Sequence, residues 1–231
     1  PVSSSAHFWI AQHLMGLQAI DGTAFDIVLH LGTALALIAY FWKDLLGMIV
    51  EAWRWVTRKP ARNAKDRALS KPIIIGTIPG ALLGALFLKY TDALTTAISI
   101  GFTMLIAAAI FIGAERVTGR KTDVSAKDSL LIGIAQGVAG LFHGASRSGL
   151  TISTGKYLGL DRETSARFSF LLALPIILAA GAKTGMDVMK GHAALPGSSV
   201  LLVGFVASAL VGYAAVLVLT AYFRSQSRTT F

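Results

Sequence analysis

The sequence predicts an all-α integral membrane protein, a polytopic helical bundle, and three observations lead to this fold class. Of its 231 residues, 54% are hydrophobic and only 14% are charged, which is about half the charged share of ordinary soluble domains. Several apolar stretches reach the roughly 20 residues that a helix needs to cross the hydrocarbon core. The two halves of the chain also repeat one another. We therefore expect one membrane domain over residues 1–231.

Composition also limits the classes of function. The chain contains no cysteine, which excludes disulfides, iron–sulfur clusters and thiolate zinc sites. In so apolar a chain, a formal net charge of +9 indicates cytoplasmic loops and contacts with anionic lipid headgroups. The expected partner is the membrane, and no nucleic acid is expected.

Five stretches are predicted to be full spans: residues 24–42, 72–90, 93–114, 166–182 and 198–223. Residues 43–71 carry eight Lys/Arg against three Asp/Glu, and residues 116–127 carry four more basic side chains. Because basic loops stay on the cytoplasmic side, both segments are predicted to be cytoplasmic loops.

Two other segments are predicted to be re-entrant hairpins built from broken helices. Residues 3–17 are apolar but too short to cross the membrane. Residues 130–160 are too long for one helix, and glycines and the polar run SRSG interrupt them. An arginine at membrane depth, here Arg147, is tolerated only where the backbone is buried in protein or lines a polar cavity.

A shift of 143 residues superposes these two segments and the spans that follow them. The clearest pairs are Ser3 with Ser146, Ser5 with Ser148, Gly16 with Gly159, Leu17 with Leu160, and Phe25 with Phe168. Three full spans separate the two copies, and an odd number of membrane crossings reverses the orientation of the second copy relative to the first. Repeat one (about 1–115) and repeat two (about 129–231) are therefore predicted to form an inverted-topology repeat. Such repeats bring their polar breaks together near the midplane, so we expect Ser4 and Arg147 to point into one cavity.

The second break contains the more distinctive candidates for binding. Hydroxyl groups from Ser146, Ser148 and Thr151, the guanidinium of Arg147 and free N–H groups at a helix start near Gly149 suit a phosphate or a carboxylate. The competing interpretation is that Arg147 is a structural charge paired with a carbonyl.

The first break offers Ser3, Ser4 and Ser5, followed by His7. Ser4 and His7 share a helix face, so they are candidates for a nucleophile and its base, or for two phosphate contacts. A serine run that only caps a helix is an equally good interpretation.

Four other polar residues are weaker candidates. His30 lies mid-span, where a histidine more often hydrogen-bonds a neighbouring helix. Asp26 is interpreted as a counter-ion for Arg147 or as an interfacial acid. Gln136, one turn before the second break, is a candidate donor that supports the residues of the site from behind, and His143 is a candidate for lining the site.

Four motifs occur in order along the chain: PVSSSAH at 1–7, FDIVLHLGT at 25–33, SRSGLT at 146–151 and FSFLLALP at 168–175. Together they resemble the undecaprenyl-pyrophosphate phosphatase family of the bacitracin-resistance type. The resemblance implies hydrolysis of undecaprenyl pyrophosphate to undecaprenyl phosphate and inorganic phosphate, which recycles the lipid carrier for peptidoglycan synthesis. It also implies a place in the inner (cytoplasmic) membrane, with the active site opening to the external side.

The same resemblance suggests roles for individual residues. Ser4 would be the nucleophile and His7 its partner, while Ser146, Arg147 and Thr151 would bind pyrophosphate. We count Arg147 with Ser4 and His7 as catalytic candidates. The candidate substrate-binding residues are Ser3, Ser146, Ser148, Gly149 and Thr151.

The family pattern extends beyond both ends of this sequence. In the family, a glutamate-rich stretch precedes the motif that begins here at Pro1, and it supports a divalent cation, Mg²⁺ or Ca²⁺. We therefore expect the metal ligands to lie upstream and none within this chain, and we expect a further hydrophobic span beyond Phe231. The sequence is expected to be an internal portion of a longer chain, and a homo-oligomer is compatible with it.

A transporter or flippase of a lipid-linked phosphate is the alternative prediction. Inverted repeats, broken helices and a midplane anion site also describe transporters, and binding alone would use the same Arg147 and serines. The Ser4–His7 pattern favours the enzyme, whereas the lack of the acidic stretch favours binding or transport.

Overall fold

The computed structural model describes residues 3–16, 22–91, 96–142, 144–191 and 197–225. Helices account for the regular structure in this part of the chain, apart from one isolated bridge between Lys121 and Leu160. The described helices are α1 (Ser4–Leu14), α2 (Gly22–Tyr40), α3 (Trp42–Val56), α4 (Ala64–Thr91), α5 (Ala97–Glu115), α6 (Ala126–Leu141), α7 (Arg147–Tyr157), α8 (Arg162–Met189) and α9 (Ser198–Ser225). The predicted all-α class is confirmed.

Four of these helices contain stretches that are long and apolar enough to cross a membrane. The stretches are Ala68–Phe87, Ala97–Glu115, Arg162–Met189 and Ser198–Phe223. A fifth candidate is the bent pair formed by α2 and α3, whose two arms meet at 83°. The chain is therefore a multi-pass membrane protein.

The segment predicted as a loop at 43–71 is mostly helical, because its apolar residues recur at helical spacing. Exposed Trp42, Leu46, Ile49 and Trp53 form one stripe along α3. A helix with such a stripe and basic neighbours lies in the interface between lipid and water. The bend at Phe41 ends the span and turns α3 out of its direction, which the summed charge of the segment did not predict.

The paired helices α6 and α7 form the predicted re-entrant hairpin. They contain 16 and 11 residues, which at about 1.5 Å per residue is too short for either to span the hydrocarbon core. Beyond α7, the Lys121 N–H donates to the Gly159 carbonyl and the Asp161 N–H donates to the Lys121 carbonyl, both at 2.9 Å. The hairpin thus returns to the side on which it began.

The sequence repeat is also visible in the geometry of α1 and α7. Each helix has 11 residues, and their first residues are 143 positions apart. Ser3 caps α1 and Ser146 caps α7, each through its hydroxyl oxygen. Gly16 (φ +65°) and Gly159 (φ +86°) both follow in the left-handed region, where a glycine carries no steric penalty. Within residues 3–16 the structure describes one helix, so the described residues do not form the hairpin predicted at the first break.

Small residues set how closely the hairpin packs against α4. A Cβ atom on Gly133 of α6 would lie only 2.1 Å from the carbonyl oxygen of Gly76 in α4. The Ser129 hydroxyl also donates to the carbonyl of Pro72 across the same contact. In lipid, such close backbone approach supplies the packing that holds helices together.

We therefore expect Gly133→Ala to force α4 and α6 apart and to destabilise the protein by about 1–3 kcal/mol, the usual cost of overpacking. Thermal unfolding in detergent, followed by the loss of monodisperse protein, would measure this. Gly101→Ala in α5 is the matched control, since a Cβ atom there meets nothing within 4 Å. Equal unfolding temperatures for the two variants would contradict the packing argument.

Candidate active site

A central cavity of about 470 Å³ lies where α1 and α7 begin. Ser3, Ser4 and Ser5 from the first break line it together with Ser146, Arg147 and Ser148 from the second. The structure therefore brings the two breaks to one cavity, with Ser4 and Arg147 among its lining residues, as the inverted repeat predicted.

Both helices present their N-termini to this cavity. The first N–H groups of any helix have no acceptor within the helix, and the aligned peptide dipoles leave a partial positive charge there. Here the capping hydroxyls satisfy one of them in each helix. Ser3 Oγ accepts from the Ala6 N–H at 3.4 Å, and Ser146 Oγ accepts from the Gly149 N–H at 3.3 Å. The remaining donors of the two first turns favour an anion.

Arg147 is the only cationic side chain among the described residues that line the cavity, and Asp26 is the only acidic one. The charge of Asp26 acts on Arg147. Within the described part of the chain, however, no carboxylate lies close enough to Arg147 to form a salt bridge. A guanidinium in this position, beside two helix N-termini, is suited to a bidentate phosphate contact.

Ser4 faces His30, which extends from α2 into the cavity. Ser4 Oγ lies 3.3 Å from His30 Nε2. His30 Nδ1 lies 2.8 Å from the backbone oxygen of Asp26 and 3.4 Å from its Oδ1 atom. The mid-span position of His30 predicts a hydrogen bond to a neighbouring helix, and His30 does contact α1 through Ser4. The contact with the candidate nucleophile was missed, although Asp26 and His30 share a helix face within one motif.

The structure does not pair His7 with Ser4, contrary to the sequence-based hypothesis. His7 Nδ1 lies 2.9 Å from the backbone oxygen of Ser3, one turn earlier in the chain. The side chain is exposed and is not among the described residues that line the central cavity. Two residues that share a helix face need not turn toward the same neighbour, and here His7 bonds to its own helix.

Two predicted substrate-binding residues lie behind the break and support it. The Thr151 hydroxyl is buried, donates to the carbonyl of Arg147 at 2.9 Å and lies 2.5 Å from Ser169 Oγ. At Gly149, an added Cβ atom would lie 2.2 Å from the ring of Phe111. Neither residue lines the central cavity, so the structure assigns both of them a packing role at the start of α7.

Of the weaker candidates, Asp26 and His30 line the central cavity, and Gln136 does not. Gln136 is buried, and its Nε2 atom is 3.5 Å from the Leu172 carbonyl. Its Oε1 atom has no hydrogen-bond partner among the described residues. His143 lies outside the described residues.

A second cavity, of about 610 Å³, shares Ser3 and Ser146 with the central one and extends between α5 and α7. Its walls are mostly apolar, and its far end contains Glu115, Lys156 and Arg162. Lys156 is only 4% exposed and donates to Glu115 at 3.1 Å, while Arg162 donates to the other carboxylate oxygen. This ion trio joins the ends of α5, α7 and α8.

The described side chains do not form a divalent-cation site. Within the described ranges, no three His, Cys, Asp or Glu residues are grouped so that they could hold a metal ion. Among the described residues, the central cavity has one carboxylate, that of Asp26, and its Oδ1 atom lies 3.4 Å from His30 Nδ1. Mg²⁺ and Ca²⁺ require several oxygen ligands, which the one carboxylate of the described cavity does not supply.

Comparison with known proteins identifies similar chains. A family model described as bacitracin resistance protein BacA matches residues 1–231. An undecaprenyl-diphosphatase of Methanosphaera stadtmanae is 35% identical over 100% of this chain and 86% of its own length. Proteins of the same name from Pelotomaculum thermopropionicum (37% identical; 100% of this chain, 84% of theirs) and Desulfosudis oleivorans (39%; 95% and 82%) are also similar.

If the cavity is an anion site, inorganic pyrophosphate should stabilise the folded protein, by about 2.7 kcal/mol at 100 times its Kd. We expect Arg147→Gln to lose this stabilisation, which thermal unfolding with and without pyrophosphate would measure. Arg167→Gln is the control, because Arg167 pairs with Asp44 at 2.7 Å outside the cavity. An undiminished shift in Arg147→Gln would place the anion elsewhere.

Proposed function

This chain belongs to the bacitracin resistance protein BacA family, and we propose that it hydrolyses undecaprenyl pyrophosphate to undecaprenyl phosphate and inorganic phosphate. The names of its relatives support this activity. The observation that carries the proposal is the convergence of Arg147, Ser4 and two helix N-termini on one cavity inside a membrane protein. The product would return to use as the lipid carrier for the cell wall.

The charge of the cavity matches the headgroup of this substrate. A pyrophosphate carries several negative charges, and phosphoryl transfer spreads charge over the equatorial oxygens. The planar fork of Arg147 meets two of these oxygens at once, and N–H groups at the starts of α1 and α7 meet others. Ser3, Ser146 and Ser148 add hydroxyl groups to the lining of the same cavity.

The rest of the cavity matches a lipid. Helices α8 and α9 contribute mainly apolar side chains to its wall, among them Phe170, Ile177, Val216 and Leu219. An apolar wall directly beside an anion site suits a phosphate ester of an isoprenoid chain, which must keep its tail out of water. We propose a polyprenyl pyrophosphate as the class of substrate for this reason.

We further propose that Ser4 is the nucleophile. It lines the cavity with Arg147, and its hydroxyl already contacts a ring nitrogen of His30. An activated hydroxyl beside a cationic phosphate site is the arrangement that nucleophilic phosphoryl transfer requires. Transport of the intact lipid, the alternative raised by the sequence, has no support in the names of the relatives.

The proposed location is the inner (cytoplasmic) membrane, with the site opening to the external side. The basic residues near the base of the α6–α7 hairpin, such as Arg116, Arg120 and Lys121, support a cytoplasmic base. Helix α7 then points its N-terminus away from the cytoplasm. A requirement for Mg²⁺ or Ca²⁺ and the formation of a homo-oligomer both stay predictions.

The proposed role of Arg147 is tested by replacing it with lysine, which keeps the charge but loses the fork. We expect Arg147→Lys in the full-length protein to lower turnover by about 10²-fold or more, as losing one oxyanion donor does. Phosphate released from a short-chain prenyl pyrophosphate would measure this, with Arg167→Lys as the control. Full activity of Arg147→Lys would show that bidentate binding is not used, and a wild-type protein that binds the lipid without releasing phosphate would contradict the proposed hydrolysis.

A further inference from the structure

We propose that the second cavity, between α5 and α7, binds an anionic phospholipid from the leaflet that meets the base of the α6–α7 hairpin. The headgroup phosphate lies at the charged end of this cavity, and one acyl chain lies along its apolar walls. The site goes beyond the proposed function, because its ligand is a structural lipid and not the substrate. The charge, the walls and the length of the cavity carry the inference.

The charged end of the cavity has an excess of positive charge. Among the described lining residues, Glu115 is the one acidic side chain, whereas Arg116, Lys156 and Arg162 are basic. Lys156 and Arg162 each donate to a carboxylate oxygen of Glu115, so two cations share one anion and Arg116 adds a third positive charge. Lys156 is 4% exposed, and removing a charge from water is costly. A phosphate group at this end would offset that cost.

The cationic groups at this end are suited to a phosphate. Arg116 is exposed and forms no salt bridge within the described ranges of the chain. The guanidinium carbon of Arg162 lies 5.9 Å from the centre of the Phe223 ring, which also lines the cavity. Guanidinium groups bind phosphate oxygens through paired N–H donors. The charged end therefore offers two arginines and a lysine to an anionic headgroup.

Most of the remaining wall is apolar. The side chains that form it come from α5 and α7: Met104, Ala107, Ala108, Phe111, Ile112 and Ile152. A free anion would lose hydration beside such walls without gaining hydrogen bonds, whereas a hydrocarbon chain leaves water when it enters. A cationic end and apolar walls together favour an anionic amphiphile over free phosphate.

The length of the cavity matches the thickness of one leaflet. The cavity extends from the capping serines, Ser3 and Ser146, to the ion trio. Along α5, Met104 and Glu115 are 11 positions apart, which is about 16 Å of helix. Half of the hydrocarbon core is about 15 Å thick. An acyl chain with its headgroup at the base of the hairpin would therefore end near the two helix caps.

The tail of the substrate fits this cavity less well than a separate lipid does. With its pyrophosphate at Arg147, a prenyl chain in the second cavity would extend against the ion trio and would place hydrocarbon beside buried charges. The central cavity already offers this tail the apolar side chains of α8 and α9. A phospholipid in the opposite orientation places its phosphate with the ions and its chain with the apolar walls.

The position of the charged end is where a headgroup would be. Arg116 directly follows α5, and Arg120 and Lys121 continue the same connection to the hairpin. Backbone hydrogen bonds join Lys121 to Gly159 and Asp161 at the base of the hairpin. Basic pockets between helices at the cytoplasmic surface bind anionic headgroups, and this end of the cavity has that composition.

A bound acyl chain would also stabilise the fold around the central cavity. Ser3 and Ser146 line both cavities, and each caps the helix that begins there. Hydrocarbon in the second cavity would pack beside these first turns. We therefore expect the phospholipid to raise the unfolding temperature of the protein.

The first experiment tests the headgroup. Full-length protein in detergent is titrated with dioleoyl phosphatidylglycerol or, as the neutral control, dioleoyl phosphatidylcholine, and binding is followed by thermal unfolding and native mass spectrometry. We expect a larger rise in unfolding temperature with phosphatidylglycerol. Arg116→Gln should weaken its binding about five-fold, the usual contribution of one basic side chain near an anionic lipid surface. Arg120→Gln is the matched control, because Arg120 is exposed but is not among the described lining residues.

The second experiment tests the acyl chain with two neighbouring residues of α5. Ala108 and Ala109 are both exposed, and of the two only Ala108 is among the described lining residues. We expect Ala108→Phe to fill part of the cavity and to remove the additional stabilisation by phosphatidylglycerol, whereas Ala109→Phe keeps it. Because both side chains are exposed, the two variants should fold equally well.

Four results would overturn the proposal: equal shifts with the two phospholipids, equal effects of Arg116→Gln and Arg120→Gln, equal effects of Ala108→Phe and Ala109→Phe, or displacement of phosphatidylglycerol by undecaprenyl phosphate, which would assign the cavity to the prenyl lipid. Stabilisation by inorganic phosphate that Arg116→Gln abolishes would make it a site for a free anion and would also contradict the proposal. None of these measurements requires turnover, so a protein that releases no phosphate would overturn the proposed hydrolysis alone.

Discussion

A positive charge held at the beginning of a helix inside a membrane protein is the constraint on which the rest of this structure depends. Arg147 is the first residue of α7, so its guanidinium lies beside the positive end of the helix dipole, where a cation is disfavoured. The low polarity of a membrane interior makes a charge at this position more costly. Asp26 offsets part of the charge, and an anionic ligand would offset the remainder. The cavity is thus arranged to be more stable with a phosphate bound.

The surrounding fold is what keeps that charge in place. The Ser146 hydroxyl caps the start of α7, just before Arg147. The Thr151 hydroxyl hydrogen-bonds Ser169 and so connects the first turn of α7 to α8. The helices of the α6–α7 hairpin are too short to cross the membrane, so the turn between them is expected to lie within the membrane. Backbone hydrogen bonds to Lys121 hold the base of the hairpin. The same arrangement is repeated in α1, where Ser3 caps the helix and Ser4 lines the same cavity as Arg147.

Much of this arrangement could be predicted because it depends on local sequence patterns. Hydropathy indicated the spans, and the paired serines indicated two matching breaks. What could not be predicted depends on how helices cross. Ser4 meets His30 rather than His7, because the rotation of α1 against α2 decides the contact. Helix α3 turns away at Phe41 and carries an exposed apolar stripe. A count of charges does not show such a stripe.

The central claim, that both serine-capped breaks face one phosphate site, can be tested directly because the chain contains no native cysteine. Ser5→Cys and Ser148→Cys would each be labelled with a small thiol reagent in the presence of increasing methylene diphosphonate, with Thr57→Cys on the far turn after α3 as the control. The account predicts that the ligand protects both cavity thiols over the same concentration range and leaves Thr57→Cys fully reactive. Protection of only one cavity thiol, or of neither, would contradict it.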